Sequence, residues 1–554
     1  MKSWMLAAWA AGTALYCLAL DPLTRPLIAD NQLYFYMAER AASGVPPHVS
    51  HVDSKSDLGV LLTAAAIDAG RAVGIDDVPS SRFISIAFTA ASVALIAELG
   101  CTLGGSVVAG HAAAMSLLAV RAFTEHTAAG NNVKIFVVTF LLLAHVAMTR
   151  IRRGTAWSRN EIVAGLAAGA AFACWQPVLL VVAAVVLEGL VGRGGGPARA
   201  VRIAIAAAVP TVLCESYFAW HGVLAQQIYQ VLVLPLASVH PPTRLLESLR
   251  FVLTEADPDE HRIVPAAAAL FAIVLAVRAL RSPRNALATL RSTPGALSVL
   301  AGGAGATLFT LYDHQGVPDL FFPDPYFALA TGALVARIAG AKKGGGGESI
   351  AGAARTWIVV ASVAVALVLQ IRYDAAHRRP PAYTWQDQRR IADVVRIWHE
   401  QYGSVWAYGA VHLLGLAHLD NHVPYGLFYD DIRAETPFET YRPVARGLMP
   451  EIIVHTRGAL PGGNGYLADG YVDITPPAFA EQLVMVWRRV APQAAQADDW
   501  RRLGPPAELS PPTPLIRGGA DWERPQLPAR LRQLPVKSPA PPRTPLTKRQ
   551  ESLH

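Results

Sequence analysis

Apolar runs of roughly membrane-crossing length recur from Trp4 to Ile371, each closed by a short polar segment. They are Trp4–Leu20, Arg82–Leu103, Val107–Phe123, Val133–Met148, Ile162–Trp175, Pro177–Val191, Val201–Ala219, Ile263–Leu280, Gly295–Tyr312, Tyr326–Ala341 and Thr356–Ile371. A hydrocarbon core roughly 30 Å thick takes about 17–25 helical residues, so the pattern predicts about eleven crossings, within residues 1–371. The fifth and sixth runs form one block too long for a single helix. Trp175-Gln176-Pro177 divides it, because proline removes a backbone donor and breaks a helix.

The segment 21–81 between the first two runs is patterned rather than plain. A helical stretch begins at Asp30 and ends at Gly44-Val45-Pro46-Pro47, and a second follows Asp53-Ser54-Lys55-Ser56. In that second helix Leu58, Leu61, Leu62, Ala65 and Ala69 share one face, with Val60 and Ile67 off it, as expected of a helix lying at a membrane surface. Beyond Ile371 the apolar runs stop. A helix Trp385–Tyr402 and strands Val405–Ala410, Gly426–Tyr429 and Glu451–His455 predict a small external α/β domain over 372–490. Residues 491–554 are rich in proline and arginine and are expected to be disordered. The fold class is thus mainly α: a polytopic transmembrane helical protein with a small α/β domain and a Pro-rich tail.

Composition agrees. Hydrophobic residues make up 53% and charged residues 16% of the chain, and mean hydropathy is +0.31, where soluble domains carry about 25% charged residues. The net charge of +7 does not point to nucleic acid, because the basic residues sit in short loops. Arg150, Arg152, Arg153 and Arg159 fall in one loop, and Arg193 and Arg199 in another. Arg278, Arg281, Arg284 and Arg291 follow, then Arg337, Lys342, Lys343 and Arg355. The excess of positive charge marks these loops as cytoplasmic, which puts the N-terminus inside and the C-terminal domain outside, in the periplasm or beyond. Trp4–Leu20 reads as an anchor, since no small-residue cleavage site precedes Asp21. Four cysteines in apolar runs suggest neither a disulfide framework nor a metal site.

The polar residues of interest then face one side. Asp30 starts a helix just outside the first crossing, with Tyr34 one turn later on the same face. It is either a carboxylate with tunable basicity or an ordinary helix-start acid. Lys55, heading a helix, can meet a lipid phosphate or simply snorkel to headgroups. His48, His51 and Asp53 offer three metal ligands with nothing to complete the set. Glu125 and His126 are a second acid and base pair, or a local cap. Asp313–Asp319, with His314, Gln315 and Asp319, is a candidate pocket wall, and Trp220–Arg262 carries Gln226, Gln227, His240, Arg244 and Arg250. Gly344–Gly347 lacks the Lys-Ser/Thr of a phosphate-binding loop.

An acid after the first crossing followed by Tyr34, Tyr36, Ala38, Gly44, Pro47, Asp53, Lys55, Leu58 and Leu62 resembles the first loop of GT-C glycosyltransferases. The similarity is to the bacterial relatives of protein O-mannosyltransferases and of the lipid A aminoarabinose transferase. It extends more weakly to Gly165–Pro177, to His314–Asp319 and to Pro450–Val454. The resemblance implies an integral-membrane enzyme that moves a sugar from a polyprenyl-phosphate donor to a glycan, lipid or protein acceptor on the external face. Asp30 would be the base and Lys55 the donor-phosphate ligand, with Glu125 as a second acid. Tyr34, Asp53, His126, His314, Gln315 and Asp319 are pocket candidates. Many relatives have Asp-Glu where this chain has Asp30-Asn31, which weakens metal dependence; no cofactor is assigned and a divalent cation is left open. Two other classes stay open: a lipid or sugar transporter, and a non-catalytic scaffold of envelope glycan assembly.

Overall fold

The computed structural model describes most of residues 1–233 and 263–339, then 383–422, 450–456 and most of 470–489. His314, Gln315, His240, Arg244, Arg250, most of the span Thr356–Ile371, the strand Gly426–Tyr429 and the tail from 491 lie outside the described residues.

Helix α1 (Ser3–Ala19) leads into two short helices, α2 (Asp30–Ala42) and α3 (Leu58–Ala72), before α4 (Asp77–Gly104) returns. The run Val107–Phe123 is not one helix. It breaks at Val120, whose extended backbone separates α5 (Val107–Ala119) from α6 (Arg121–Ala129). Then come α7 (Val133–Thr149) and α8 (Arg159–Cys174), a single 3-10 turn at Gln176–Val178, and α9 (Leu179–Val191). The break at Trp175-Gln176-Pro177 falls where the sequence expects it. Helix α10 (Pro197–Trp220) is followed by the short α11 (Leu224–Ile228) and a wide turn at Tyr229–Val233. After α12 (Ile263–Arg281), the expected loop Arg278–Arg291 is mostly a helix, α13 (Pro283–Ser292). The chain bends by 106° into α14 (Ala296–Tyr312) through Thr293-Pro294-Gly295, where Gly295 takes φ +80°. A 3-10 turn Val317–Phe321 precedes α15 (Asp324–Ile338).

Helices α4 and α10 are each long and apolar enough to cross a membrane. Val201, Ile205, Val212 and Leu213 of α10 are exposed, an apolar outer stripe suited to lipid rather than water. Small residues bring the helices close. A Cβ on Gly169 of α8 would lie 1.9 Å from the Ala207 carbonyl oxygen of α10, and one on Gly165 2.5 Å from that of Ile203. This small-xxx-small spacing is the usual way helices approach in lipid.

Ion pairs and caps sort the helix ends. Glu98 near the end of α4 pairs with the Met1 amine at 2.9 Å and with Arg150 at 3.0 Å. Glu161 at the start of α8 pairs with Arg199 and Arg202 at the start of α10. Glu188 near the end of α9 accepts from the backbone N–H of Gly295 and Ser298 at the start of α14. Each pair joins ends that the eleven-crossing reading assigns to one side.

On the opposite side the chain continues into α16 (Trp385–Tyr402), opened by a capping box of Thr384 and Asp387. Then follow β1 (Val405–Tyr408), α17 (Val411–Ala417), β2 (Ile452–Thr456), β3 (Tyr471–Asp473) and β4 (Val484–Arg489). The sheet order is β1-β2-β4-β3, with β1 parallel to β2 and the other pairs antiparallel. Its core does not stand apart from the first loop. Leu33 to Ala38 of α2 are buried in one cluster with Ile391, Val395, Val405, Leu413 and Ile452.

Candidate active site

Helix α2 is enclosed because both of its sides are claimed. Gln388 of α16 accepts from Leu27 N (2.8 Å) and donates to Leu27 O (2.9 Å), and Trp385 N donates to Thr24 O (3.2 Å). From α4 the buried Arg82 donates to the carbonyls of Pro22, Arg25 and Pro26. The linker from α1 to α2 is therefore pinned on both flanks, and Asp30 emerges at a defined place.

There three groups meet. Lys55 Nζ donates to Tyr34 Oη at 2.6 Å and lies 3.7 Å from Asp30 Oδ2. The Asp30 side chain is 47% exposed and that of Lys55 17%, so the carboxylate faces solvent while the ammonium sits beneath it. Burial, with Asp30, Asp53 and Asp319 near by, holds the Tyr34 phenol well above its ordinary pKa. It stays neutral, accepting from Lys55. The one-turn spacing of Asp30 and Tyr34 and the position of Lys55 are as the sequence indicates.

The other candidates surround this group in different ways. Asp53 is buried and its carboxylate accepts from Ser54 N at 2.7 Å, closing the turn before Lys55. Asp319 is buried against Lys134 of α7 in an ion pair, with the Lys134 ammonium 4.9 Å from the Trp175 ring centre. Glu125 on α6 faces Arg25 at 3.6 Å. His126 packs on Phe321, and burial lowers its pKa against the opposing pull of Glu125 and Asp30. The three-ligand metal reading of His48, His51 and Asp53 does not fit. Both His48 ring nitrogens are engaged within the protein, by Gln230 at 2.7 Å and Asp57 at 2.6 Å, and the Asp53 carboxylate accepts from Ser54 N. Among the described residues, Glu39, Asp77 and His418 bring possible ligand atoms together, but Arg71 already bridges both carboxylates at 2.7–2.8 Å.

Sequence reasoning missed Lys134, Asp57, Gln176 and Gln230. Gln176, half-buried at the break after α8, donates to Ser54 O (2.9 Å) and Val231 O (3.2 Å). Its position before Pro177 was a usable signal, because a polar side chain at a helix break is free to clamp a loop. Lys134, near the head of an apolar run, was the other signal, since a charge there needs a partner.

Helix α3 divides its apolar residues between two faces. Val60, Thr63, Ala64 and Ile67 pack inward, while Leu61, Ala65 and Ala69 point away. Val60 and Ile67 join the core, while Leu58 and Leu61 line an apolar groove of about 270 Å³. That groove is lined by Leu58, Leu61, Leu166, Val209, Leu213 and Tyr217, and begins beside the head of α3.

The helical arrangement shares its fold with the solved structures that follow. The chain is similar to the structure of ArnT from Cupriavidus metallidurans bound to undecaprenyl phosphate, at TM-score 0.58 and 12% identity, covering 88% of this chain and 98% of that one. The apo form of the same protein matches at TM-score 0.56 with the same identity and coverage. The archaeal oligosaccharyltransferase AglB from Archaeoglobus fulgidus, in complex with an inhibitory peptide and a dolichol-phosphate, matches at TM-score 0.51 and 12% identity, covering 82% of this chain and 70% of that one. No family model and no curated protein matches the sequence.

Proposed function

We propose that the protein is an integral-membrane glycosyltransferase that moves a sugar from a polyprenyl-phosphate donor to an acceptor at the external face of the cytoplasmic membrane. The observation that carries this reading is the meeting of Asp30, Tyr34 and Lys55 at the head of α3, beside an apolar groove, in a GT-C fold.

Transfer from a polyprenyl phosphate breaks the bond from the anomeric carbon to the phosphate oxygen and forms one to the acceptor oxygen. It calls for a base on the acceptor hydroxyl and a cation on the departing phosphate. Lys55 supplies the cation. Its contact with half-exposed Asp30 is long, at 3.7 Å, so an incoming phosphate can exchange for it. Tyr34 keeps the ammonium aimed meanwhile. Asp30, released from Lys55 and open to solvent, takes the acceptor proton. Lys134 is a poor substitute, because breaking a buried pair such as Lys134–Asp319 costs about 3–5 kcal/mol. Glu125, its charge shared with Arg25, is a second carboxylate at the rim. The prenyl chain follows the groove from Leu58 towards Leu213. The solvent side of Asp30 receives the acceptor, whether lipid, glycan or protein.

The test is sugar transfer by the purified protein in liposomes, supplied with radiolabelled polyprenyl-phosphate sugars. Asp30→Asn is expected to lower kcat by about a hundredfold, the usual scale for a general base. Lys55→Ala is expected to raise donor KM. Full activity in Asp30→Asn would remove the base assignment. Failure of every donor, with wild-type protein folded, would move the scaffold reading ahead.

A further inference from the structure

His48 lies outside the catalytic group, fully buried, with a left-handed backbone (φ 67°) at the start of the segment that ends in Asp57. The amide orientation of Gln230 is fixed by its neighbours. Its Nε2 donates to His48 O at 3.0 Å, so its Oε1 is the acceptor for Asp53 N at 3.1 Å and for His48 Nδ1 at 2.7 Å. A flipped amide would set donor against donor at Asp53 and acceptor against acceptor at the carbonyl of His48. The second ring nitrogen, Nε2, faces Asp57 Oδ2 at 2.6 Å. Both ring nitrogens thus face oxygen acceptors, and a neutral imidazole with an ionised Asp57 leaves one contact without a proton.

We infer that a proton shared by His48 and Asp57 locks the segment 48–57 against Gln230 and thereby aims Lys55, making His48 a positioning residue whose lock opens on deprotonation. The inference rests on the functional reading of Lys55 above. The lock is connected to Lys55 by the backbone: Gln230 holds Asp53 N, and Gln176 holds Ser54 O one residue before the lysine.

The groups facing the pair are Asp53 and His51 on the same segment, Glu215, Cys214 and Tyr217 on α10, and Cys174 on α8, with the Phe218 ring 5.6 Å from the imidazole. Burial disfavours the imidazolium, but Asp57, Gln230 and Asp53 outweigh it, so His48 titrates above its ordinary value. A raised folded-state pKa means that the lock is intact below the ordinary histidine range and lost as pH rises through the raised value.

Asp57→Asn separates the proton from the shape. The carboxamide that replaces the carboxylate can donate to a neutral His48 Nε2 while Nδ1–H still reaches Gln230, so the lock persists without a shared proton. Hydrogen–deuterium exchange of the full chain in detergent micelles is measured at about pH 6.5 and about pH 9, either side of the histidine range, each rate normalised to its intrinsic value. Amides 48–57 of wild type are expected to lose about tenfold protection at the higher pH, as for one charge-assisted bond, and those of Asp57→Asn to lose none. Donor KM should rise with pH in wild type and stay level in the variant, with kcat moving less than KM. Gln230→Glu sets a second carboxylate on His48 but gives up the donor to the His48 carbonyl, so protection of 48–57 should be lower at both pH values while its loss shifts to higher pH; it serves if Asp57→Asn does not fold. Equal loss of protection in wild type and variant, or no loss in wild type, overturns the inference. If no sugar is transferred, the exchange result still decides the lock; if sugar is transferred but protection is insensitive to pH, the lock alone falls.

Discussion

Tyr34 shows how much one hydroxyl carries at this site. It accepts from Lys55 at 2.6 Å and is kept neutral by burial, so under the proposed function it fixes the ammonium without competing for the proton assigned to Asp30. Tyr34→Phe retains the ring and its packing but removes the acceptor. It is expected to raise donor KM by about five- to tenfold, the scale of one hydrogen bond, with kcat and thermal stability nearly unchanged; steady-state kinetics and a thermal melt check both. The shared face of Asp30 and Tyr34 and the place of Lys55 just before a helix were legible in the sequence from helical spacing and a helix start, while the contact of Lys55 with the other two is tertiary. Lys134 was not legible, since its partner Asp319 is 185 residues away and only packing shows that the lysine is spent on it. The same applies to Arg82, whose three carbonyl partners belong to the linker before α2.

Among the elements, α8 and α10 set the distance between the groove and the loop that Gln176 clamps. Their contact depends on Gly169, where a side chain would meet the Ala207 carbonyl at once. Gly169→Leu is therefore expected to cost several kcal/mol, read as a large fall in melting temperature in detergent. Gly12→Ala on α1, where an added Cβ meets nothing within 4 Å, should leave it unchanged. The break between α8 and α9 was legible because proline acts locally. The inward face of α3 was not. Its leucines and its β-branched residues form two apolar stripes, and periodicity alone does not say which meets protein and which meets lipid.

For the molecule as a whole, the C-terminal sheet and α2 are one structure. Glu39 of α2 binds His418 at 2.8 Å and Arg71 at 2.8 Å, and Arg40 binds Asp420 at 2.8 Å. Gln388→Ala removes both bonds to Leu27 and is expected to weaken the docking by about 1–3 kcal/mol, seen as faster proteolysis within 383–422 and reduced transfer. The same junction has a pH dependence. Burial pushes the Glu39 pKa up, but His418, Arg40 and Ser43 outweigh it, so the carboxyl titrates below its ordinary value. A lowered folded-state pKa contributes stability above the ordinary glutamate range, about pH 4.3, and this is lost as pH falls through the lowered value. Melting temperature should therefore fall on acidification in wild type, and Glu39→Gln should remove part of that dependence while lowering stability at neutral pH.

By itself the sequence determined the helical membrane architecture, the break at Pro177, the two-helix first loop and the shared face of Asp30 and Tyr34. These follow from hydropathy, proline and helical period, all of which act over a few residues. Tertiary structure decided which face of α3 turns inward, that Lys55 meets Tyr34 and Asp30 while Lys134 pairs with Asp319, and that the C-terminal domain completes the core around α2. It also decided that His48, read as a possible metal ligand, spends both ring nitrogens on Asp57 and Gln230. Those outcomes turn on partners as far as 385 residues apart, as between Tyr36 and Asn421, and burial makes each polar group there find one.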